Sequence, residues 1–266
     1  MELGLKGKVV LVTGSSKGIG RSIAAASARE GCQVVINGRH AAELEAAAAE
    51  MRGGQATVHA VVSDVTEAEG AKRVVDETVA RFGTIDILVN NAGGAGRFGS
   101  FEDLTDDEWI GAFNLNVLSA VRAMRAALPH MQKQKWGRTI NISSESGIQP
   151  DPMMPHYNAA KSALNSFTKS LSKAYGKDNI LVNTVSPAFI RTPLLEGMLE
   201  QQARTRSITV DEAEKVLLRE FRPNILLGRA GKPDETAGIV VFLASEQASF
   251  ITGSNYRVDG GSVASL

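Results

Sequence analysis

Tyr157 and Lys161 are the residues of this chain whose types and spacing most directly suggest chemistry. They stand four residues apart at the start of a run that predicts a helix to about Ala174, and on a helix residues i and i+4 share one face. A nearby cation favours phenolate and is expected to lower the pKa of a phenol. The pair therefore suggests proton transfer near neutral pH, although a half-buried tyrosine beside a solvated lysine would show the same spacing.

The rest of the sequence predicts a scaffold that would hold this helix. Short, almost continuously apolar runs alternate with longer helical patterns, as expected for parallel strands covered by helices on both faces. The fold class is therefore α/β, a Rossmann-type, doubly wound parallel sheet flanked by helices. The predicted strands are 8–13, 33–37, 57–62, 86–90, 138–142, 180–185 and 255–258, and the predicted helices are 18–30, 41–52, 67–82, 106–134, 157–174 and 233–244.

No linker or repeat divides the chain, so residues 1–266 are predicted to form one dinucleotide-binding catalytic domain. The alternation is interrupted between residues 193 and 228 by two amphipathic stretches, 194–204 and 210–221. We interpret about 188–228 as a substrate loop or lid. A surface insertion or an oligomer contact would give the same pattern.

Composition narrows the ligand classes. The 29 basic and 29 acidic residues cancel, so neither nucleic acid nor a membrane surface is an expected partner, and a small molecule is. Cys32 is the single cysteine, which excludes an intrachain disulfide, argues against a zinc cluster and fits a cytoplasmic setting. No metal is expected. The N-terminal residues lack an apolar export segment, and the longest apolar runs are too short to span a membrane.

A glycine-rich turn joins the first predicted strand to the first predicted helix. Gly14, Gly18 and Gly20 occur there in the spacing Gly-x-x-x-Gly-x-Gly. Glycines let the backbone approach a pyrophosphate, and the helix N-terminus offers N–H groups and a positive dipole end. The turn therefore predicts a dinucleotide site, and a tight turn with close helix packing is the structural alternative.

Four motifs together resemble the short-chain dehydrogenase/reductase family. They are the glycine pattern at 13–20, Asn-Asn-Ala-Gly at 90–93, Ser144 thirteen residues before Tyr157, and Tyr157-x-x-x-Lys161. The resemblance covers essentially the whole chain in the same order. It implies a sheet of seven strands and a homodimer or homotetramer, with the helices that begin at 106 and 157 at an interface.

The resemblance also implies roles for individual residues. Tyr157 would be the acid in reduction and the base in oxidation, Ser144 would donate to the substrate oxygen, and Lys161 would bind the ribose. Asn116 is favoured over Asn114 to hold a water in a proton relay, because it stands seven residues after Trp109. The implied cofactor contacts are Gly14, Ser16, Lys17, Gly18, Ile19, Gly20, Arg39, Asp64, Val65, Asn91, Ala92, Gly93, Tyr157, Lys161, Pro187, Ile190 and Thr192.

The end of the second predicted strand indicates which nicotinamide cofactor is used. Relatives specific for NAD place a carboxylate there, but Gly38 and Arg39 stand at this point, and residues 37–40 contain no acid. Arg39 and Lys17 suit a 2′-phosphate, so NADP(H) is predicted, with NAD(H) as an alternative. Asp64 is expected either to accept from the adenine or to cap the helix near Glu67.

The substrate is expected to be a small carbonyl compound or alcohol. Its pocket would be walled by 149–156, Phe189 and 194–198, with Asp151, His156 and Arg97 as polar contacts and His156 only as a wall. The predicted activity is NADP(H)-dependent carbonyl reduction, with 3-oxoacyl thioesters as one substrate class. A secondary-alcohol or polyol dehydrogenase, a nucleotide-sensing regulator and a sugar-nucleotide epimerase or dehydratase are the alternatives. Five basic residues are candidates for docking an acidic carrier protein, with a solvated helix face as the alternative: Arg204, Arg206, Lys215, Arg219 and Arg222.

Overall fold

Seven parallel strands form the central sheet of the computed structural model, which describes residues 2–53 and 56–265. Their order across the sheet is β3-β2-β1-β4-β5-β6-β7, which confirms the predicted doubly wound fold. Residues 1, 54–55 and 266 of the predicted domain lie outside the described residues. The strands are β1 (Val9–Val12), β2 (Gln33–Gly38), β3 (Val58–Val62), β4 (Ile87–Asn90), β5 (Gly137–Ile142), β6 (Ile180–Pro187) and β7 (Asn255–Val258).

Nine α-helices lie in the described residues. Their bounds follow the predicted ones closely, except that the single helix predicted over 106–134 is divided by a π-helical turn, Asn114–Leu118. None of them combines the length and the apolar character that crossing a membrane requires. The helices are α1 (Gly18–Arg29), α2 (Ala41–Arg52), α3 (Ala68–Phe82), α4 (Asp106–Phe113), α5 (Ser119–Gln134), α6 (Pro155–Tyr175), α7 (Pro193–Arg206), α8 (Val210–Phe221) and α9 (Pro233–Ala244).

The side chains of each strand divide between two hydrophobic cores, because successive residues of a strand point to opposite faces. In β1, Val10 and Val12 enter one core and Leu11 enters the other. The first core joins the sheet to α1, α2 and α9, and the second joins it to α3, α5 and α6. Both faces of the sheet are thus covered, which explains why the strand sequences are almost entirely apolar.

A buried polar network fixes α6 to the sheet. Asn90 Nδ2 donates to Asn141 Oδ1 at 2.8 Å, and Asn141 Nδ2 donates to Thr168 Oγ1 at 2.8 Å. The Thr184 hydroxyl also bonds to Thr168 Oγ1 at 2.8 Å. These residues come from β4, β5, α6 and β6, so the network fixes the position of α6 along the direction of three strands.

Helices α7 and α8 form a pair with a small core of its own. Leu195, Leu199 and Ala203 of α7 pack against Ala213 and Leu217 of α8. Thr209 begins α8 with a capping box, in which Thr209 Oγ1 accepts from Glu212 N and Glu212 Oε2 accepts from Thr209 N. The two amphipathic stretches predicted at 194–204 and 210–221 therefore pack mainly on each other. Whether the pair moves as a lid stays a prediction.

Candidate active site

The carboxyl ends of the central strands carry the residues that the sequence analysis selected. The strand order reverses between β1 and β4, so the loops after these strands diverge and leave the crevice where open α/β sheets bind ligands. The loops after β5 and β6 reach the same edge, because all the strands are parallel. The glycine loop, the turn at 90–93 and Ser144 therefore meet along one edge.

The loop between β1 and α1 has the backbone geometry of an anion cradle. Gly14 and Gly18 have φ values of +60° and +59°, which residues with a side chain rarely adopt. A β-carbon added at Gly20 would collide with Asn91 Nδ2 and the Gly14 carbonyl. Within the described ranges, no side chain caps the first turn of α1, so its N–H groups can bind a pyrophosphate.

The turn after β4 is tied directly to this glycine loop. Asn91 Nδ2 donates to the Thr13 and Gly14 carbonyls at 2.9 and 2.8 Å. Thr13 Oγ1 in turn accepts from the N–H groups of Asn91 and Ala92, both at 3.1 Å. A β-carbon at Gly14 would lie 2.9 Å from Ala92 Cα. Asn91 and Ala92 therefore shape the predicted cofactor site by holding the two loops together.

Two exposed cations flank the end of β2, where the adenosine ribose is expected. Arg39 Nη1 lies 3.7 Å from Asp64 Oδ2, and Lys17 Nζ lies 3.8 Å from Glu43 Oε2. Both cationic side chains are 65% exposed, so these long ion pairs contribute little to stability. Both cations are consequently able to turn toward a 2′-phosphate.

Residues Ser16 and Gly38 form the wall of this ribose region. A β-carbon added at Gly38 would meet Ser16 Cβ at 3.5 Å and Leu44 Cδ1 at 3.4 Å. These are ordinary contact distances, so the space beside Gly38 at the end of β2 is small but still open. The strand end therefore offers backbone rather than a carboxylate to the ribose.

Asp64 is kept ionised by its own turn. Burial raises the pKa of Asp64, but the hydrogen bonds from Thr66 and the charge of Arg39 outweigh it, so the pKa is lowered. Asp64 Oδ1 accepts from Thr66 N at 2.9 Å and from Thr66 Oγ1 at 2.7 Å. The expectation that Asp64 caps the following helix is wrong, because α3 begins at Ala68 with Glu67 as its N-cap.

Lys161 is held against the end of β5. Its Nζ donates to the Ile142 carbonyl at 2.8 Å, and Ser143 Oγ donates to the Lys161 carbonyl at 3.2 Å. Lys161 is only 3% exposed, and its Nζ lies 5.6 Å from the centre of the Tyr157 ring. The helical spacing thus brings the amine and the phenol side by side at the sheet edge.

Ser144 is the serine that contacts Tyr157. Its side chain lies close enough to the half-buried Tyr157 to favour the phenolate form, and its Oγ accepts from Ser146 N at 3.2 Å. Ser143 is occupied with the carbonyl of Lys161, and Ser146 is buried in the turn that follows. Of the three neighbouring serines, the geometry therefore favours Ser144 for contact with a substrate oxygen.

The pKa values of Tyr157 and Lys161 differ from the sequence expectation. Burial and the nearby charge of Glu145 raise the pKa of Tyr157, and the Ser144 hydrogen bond only partly offsets them. Burial lowers the pKa of Lys161 to about 7. The expectation that Lys161 lowers the pKa of Tyr157 is therefore wrong for the protein by itself, because burial penalises the charged forms of both groups.

Asn116 lies in a π-helical turn, Asn114–Leu118, that divides α4 from α5. Asn116 is 1% exposed, and its side chain bonds to both backbone groups of Gly94, at 3.1 and 3.0 Å. A β-carbon at Gly93 would lie 2.8 Å from Asn116 Oδ1 and 3.1 Å from Lys161 Nζ. Asn116, Gly93 and Lys161 therefore share one small space.

Asn114, the alternative to Asn116, has a different environment. Its Oδ1 accepts from Arg122 Nη1 at 2.6 Å, and the same nitrogen donates to the Thr66 carbonyl at 2.6 Å. Asn114 thus connects the π-helical turn to the loop before α3. The geometry favours Asn116 for the predicted relay, and a π-helical turn inside a helix frequently marks a functional site.

The loop after β6 reaches the glycine loop. Thr192 is the N-cap of α7, and a β-carbon at Gly18 would meet Thr192 Cγ2 at 3.3 Å. Pro187 ends β6, and Ile190 forms an isolated bridge with Gly231. Thr192 therefore lies beside the glycine loop, and the cofactor contacts of Pro187, Ile190 and Thr192 stay predictions.

Two apolar residues among the predicted cofactor contacts lie in the cores. Val65 is buried in the core on the α3 side, and Ile19 packs against the core on the α1 side. Their side chains are engaged in packing, so a contact with the adenine or the phosphates would come from their backbone.

Several predicted wall residues are not pocket residues. Met154 is 4% exposed, and Leu195 belongs to the core of the α7–α8 pair. His156 is 1% exposed and packs its ring edgewise on Trp109, with 6.2 Å between the ring centres. Helix packing therefore takes side chains that the apolar pattern had assigned to the substrate.

The polar wall residues also have partners. Asp151 Oδ2 accepts from Arg222 Nη1 at 2.7 Å, and Arg97 Nη1 donates to the Asp103 carbonyl at 2.7 Å. The predicted carrier surface is similarly reduced. Arg206 forms a two-bond pair with Glu220, and Arg222 turns inward.

Sequence reasoning missed Glu145, which follows Ser144 and is 5% exposed. Burial raises the pKa of Glu145, while Ser262 and the Arg222 charge lower it. An acid beside a candidate serine is a visible signal in the sequence, but its pairing with the distant Arg222 could not be read locally. Within the part of the chain that the structure describes, no group of His, Cys, Asp or Glu residues is arranged to hold a metal ion.

Comparison with known proteins places this site among oxidoreductases. Residues 14–263 match a family model described as enoyl-(acyl carrier protein) reductase. The uncharacterized oxidoreductase YvaG of Bacillus subtilis is 38% identical over the whole of both chains. The 3-oxoacyl-[acyl-carrier-protein] reductase FabG of Thermotoga maritima is 34% identical over 97% of this chain and 99% of its own length.

A solved structure covers the same length. L-sorbose reductase from Gluconobacter frateurii, complexed with NADPH and L-sorbose, is 36% identical and superimposes with a TM-score of 0.95 over all of both chains. The likeness therefore includes the glycine loop, the crevice and the α7–α8 pair in one continuous alignment.

Proposed function

The chain belongs to the short-chain dehydrogenase/reductase family of oxidoreductases, and we propose that it interconverts a carbonyl group and a secondary alcohol with NADP(H). The observation that carries the proposal is the proximity of Ser144, Tyr157 and Lys161 at the crevice. A proton donor, a hydrogen-bond donor and an amine with a pKa of about 7 are thereby brought to one place. These are the groups that carbonyl reduction needs from the protein.

The proposed roles follow from the chemistry of each side chain. The nicotinamide, when bound, supplies the hydride in reduction and accepts it in oxidation. Tyr157 donates a proton to the carbonyl oxygen in reduction and removes it in oxidation, and Ser144 donates a hydrogen bond to the same oxygen as its charge changes. Lys161 exchanges protons near neutral pH, and Asn116 holds the backbone of Gly94 in place beside Lys161.

The glycine loop fits a dinucleotide. The backbone cradle is formed by the positive φ values at Gly14 and Gly18 and by the start of α1, which no side chain of the described residues caps. Arg39 and Lys17 would hold the 2′-phosphate of NADP(H), and a ribose without that phosphate would still find the backbone at Gly38. NADP(H) is therefore the proposed cofactor, supported by the NADPH complex of the sorbose reductase.

Two substrate classes follow from the relatives, and the polar side of the site favours one. Arg222 pairs with Asp151 and with Glu145, the residue after Ser144, and this charged cluster supports a small polyhydroxylated ketone or polyol, such as the sugar in the sorbose reductase complex. A 3-oxoacyl thioester is the second class, supported by the FabG relatives. A panel of ketoses and 3-oxoacyl thioesters, followed by NADPH absorbance, separates the two classes.

Substitution of Tyr157 by Phe tests the mechanism. We expect Tyr157→Phe to reduce turnover by about a hundredfold or more, the scale of general acid catalysis, and to leave NADPH binding unchanged. Tyr175→Phe, at the other end of α6, is the matched control and should retain activity. A fully active Tyr157→Phe enzyme would remove the proposed role of the phenol.

We also propose a homotetramer or homodimer in the cytoplasm. The exposed apolar side chains of Ile110 and Leu118, 66% and 43% exposed on α4 and the π-helical turn, support a contact there. Cys32 is buried, and burial together with nearby acids raises its pKa to about 12, which suits a protein without disulfides. Light scattering after gel filtration measures the subunit number, and a monomer would contradict the proposal.

A further inference from the structure

Arg222 connects the α7–α8 pair to the candidate active site. It follows the last residue of α8, and its side chain is 20% exposed. Its Nε lies 3.2 Å from Glu145 Oε1, and its Nη1 lies 2.7 Å from Asp151 Oδ2. Glu145 follows Ser144 directly, and Asp151 stands six residues before Tyr157. One guanidinium thus joins both chain segments that lead to the reacting groups.

The Asp151 segment transmits this contact to α6. Asp151 Oδ1 accepts from Met153 N at 2.9 Å, and the Asp151 carbonyl accepts from Asn158 Nδ2 at 2.6 Å. Asn158 is the neighbour of Tyr157 in the first turn of α6. The Arg222 contact therefore bears on the start of the helix that carries the phenol.

Glu145 is a buried carboxylate that depends on Arg222 for neutralisation. Among the described residues, its Oε2 has no partner with hydrogen-bond geometry, although the Ser262 hydroxyl lies close enough to favour the ionised form. The groups that face Glu145 are Arg222 from α8, Asp259 and Ser262 from the segment after β7, and Tyr157 from α6. Arg222 is the single cation in this set.

We propose that Arg222 is a positioning residue of the reaction. From the end of α8 it binds Glu145 and Asp151 and thereby fixes the positions of Ser144 and Tyr157. It also neutralises the Glu145 carboxylate beside them. This inference rests on the proposed function, because it requires Tyr157 to exchange the substrate proton. It goes further in making the chemistry depend on the docking of the α7–α8 pair. If α8 moves away, Glu145 faces Tyr157 without its counter-ion.

The sign of the effect follows from the charges. Alcohol oxidation requires Tyr157 as phenolate, and an uncompensated Glu145 carboxylate disfavours a second negative charge nearby. Loss of Arg222 should therefore move the rise of oxidation activity to higher pH. Lys161, which faces the Tyr157 ring, is present in every variant and does not distinguish them.

The experiment compares pH profiles of kcat/KM for alcohol oxidation with NADP⁺. We expect Arg222→Met to move the acidic limb upward by about one pH unit. This is less than the roughly three units that a unit charge at about 4 Å would give at an effective dielectric constant of about 20, because Arg222 acts on Tyr157 through Glu145. Arg222→Lys keeps the charge and should shift the limb less. Arg206→Met, which removes an exposed arginine of α7 that pairs with Glu220, is the matched control and should follow the wild type.

A double variant separates charge from loss of structure. Removing the cation alone leaves a buried charge and can destabilise the protein, whereas Arg222→Met with Glu145→Gln removes both charges. We expect this double variant to return the limb to the wild-type position. An unchanged limb in active Arg222→Met, or a shift that persists in the double variant, would overturn the inference. A wild-type protein without oxidoreductase activity would instead refute the proposed function.

Discussion

Selectivity for NADPH should reside in Arg39 and Lys17, the two cations beside the end of β2. Each is 65% exposed and forms a single long ion pair, with Asp64 at 3.7 Å and with Glu43 at 3.8 Å. Exposed pairs of this kind contribute about 0–1 kcal/mol, so turning either cation toward a ligand costs little. We therefore expect Arg39→Leu and Lys17→Met to weaken NADPH binding specifically.

The magnitude follows from the contact that each cation can gain. A hydrogen bond to a charged group contributes about 1.5–3 kcal/mol, and the exposure of both side chains favours the lower end. After subtraction of the lost ion pair, each substitution should cost about 1 kcal/mol or slightly more, roughly a fivefold to tenfold loss of affinity. Because both cations would contact the same phosphate, the two losses are expected to be coupled, and the double variant should lose more affinity than either single variant without reaching simple additivity.

Fluorescence titration of NADPH and NADH against each variant measures these losses. NADH lacks the 2′-phosphate, so its affinity should not change. Arg73→Leu is the control, since Arg73 is also an exposed arginine in an ion pair, donating to Glu77 at 2.6 Å on α3. Equal losses for both nucleotides, or an unchanged ratio in the double variant, would refute the assignment.

Two further predictions concern the groups that the fold buries. The pKa of Lys161 is about 7 in the folded protein, whereas the ordinary value for a lysine is 10.5. Between these two pH values the folded protein binds fewer protons than the unfolded chain, so its stability rises with pH. Melting temperatures of Lys161→Met should lose this pH dependence, and equal slopes in the variant and the wild type would contradict the prediction. Gly20→Ala places a β-carbon on Asn91 Nδ2 and the Gly14 carbonyl and should cost about 1–3 kcal/mol and abolish NADPH binding. Gly238→Ala, in open space on α9, should be neutral or stabilise by up to about 1 kcal/mol. A Gly20→Ala protein that unfolds at the wild-type urea concentration would show that the loop can relax.

The fold was predictable because local pattern and global structure agree. Strands such as Val9–Val12 are apolar and buried on both faces, and the glycines at 14 and 18 stand where the backbone needs positive φ. Each of these signals is local in the sequence, so each can be read without knowledge of the packing. The same applies to Tyr157 and Lys161, whose proximity follows from one turn of helix.

The electrostatics of the site were not predictable in this way. Glu145 lies next to Ser144 in sequence, but its pair is Arg222, which follows α8 and stands more than seventy residues later. The sequence predicts one continuous helix across the π-helical turn at Asn114–Leu118, because a single extra residue in a turn leaves the apolar pattern nearly unchanged. Features that arise from contacts between distant segments leave no periodic signal.

The raised pKa of Tyr157 and the lowered pKa of Lys161 have a common origin in this long-range packing. The polar network through Thr168 and the bond from Lys161 to Ile142 draw α6 onto the sheet. The same approach buries Lys161 and half-buries Tyr157. In the protein alone, phenol and amine are therefore driven toward their neutral forms, and the charge of Glu145 adds to the effect on the phenol. A neutral phenol is ready to donate a proton, which suits reduction, whereas oxidation must first generate phenolate against burial. On the proposed mechanism, we therefore expect the electrostatics of the protein alone to favour reduction, and we expect Arg222 to limit how far Glu145 strengthens that bias.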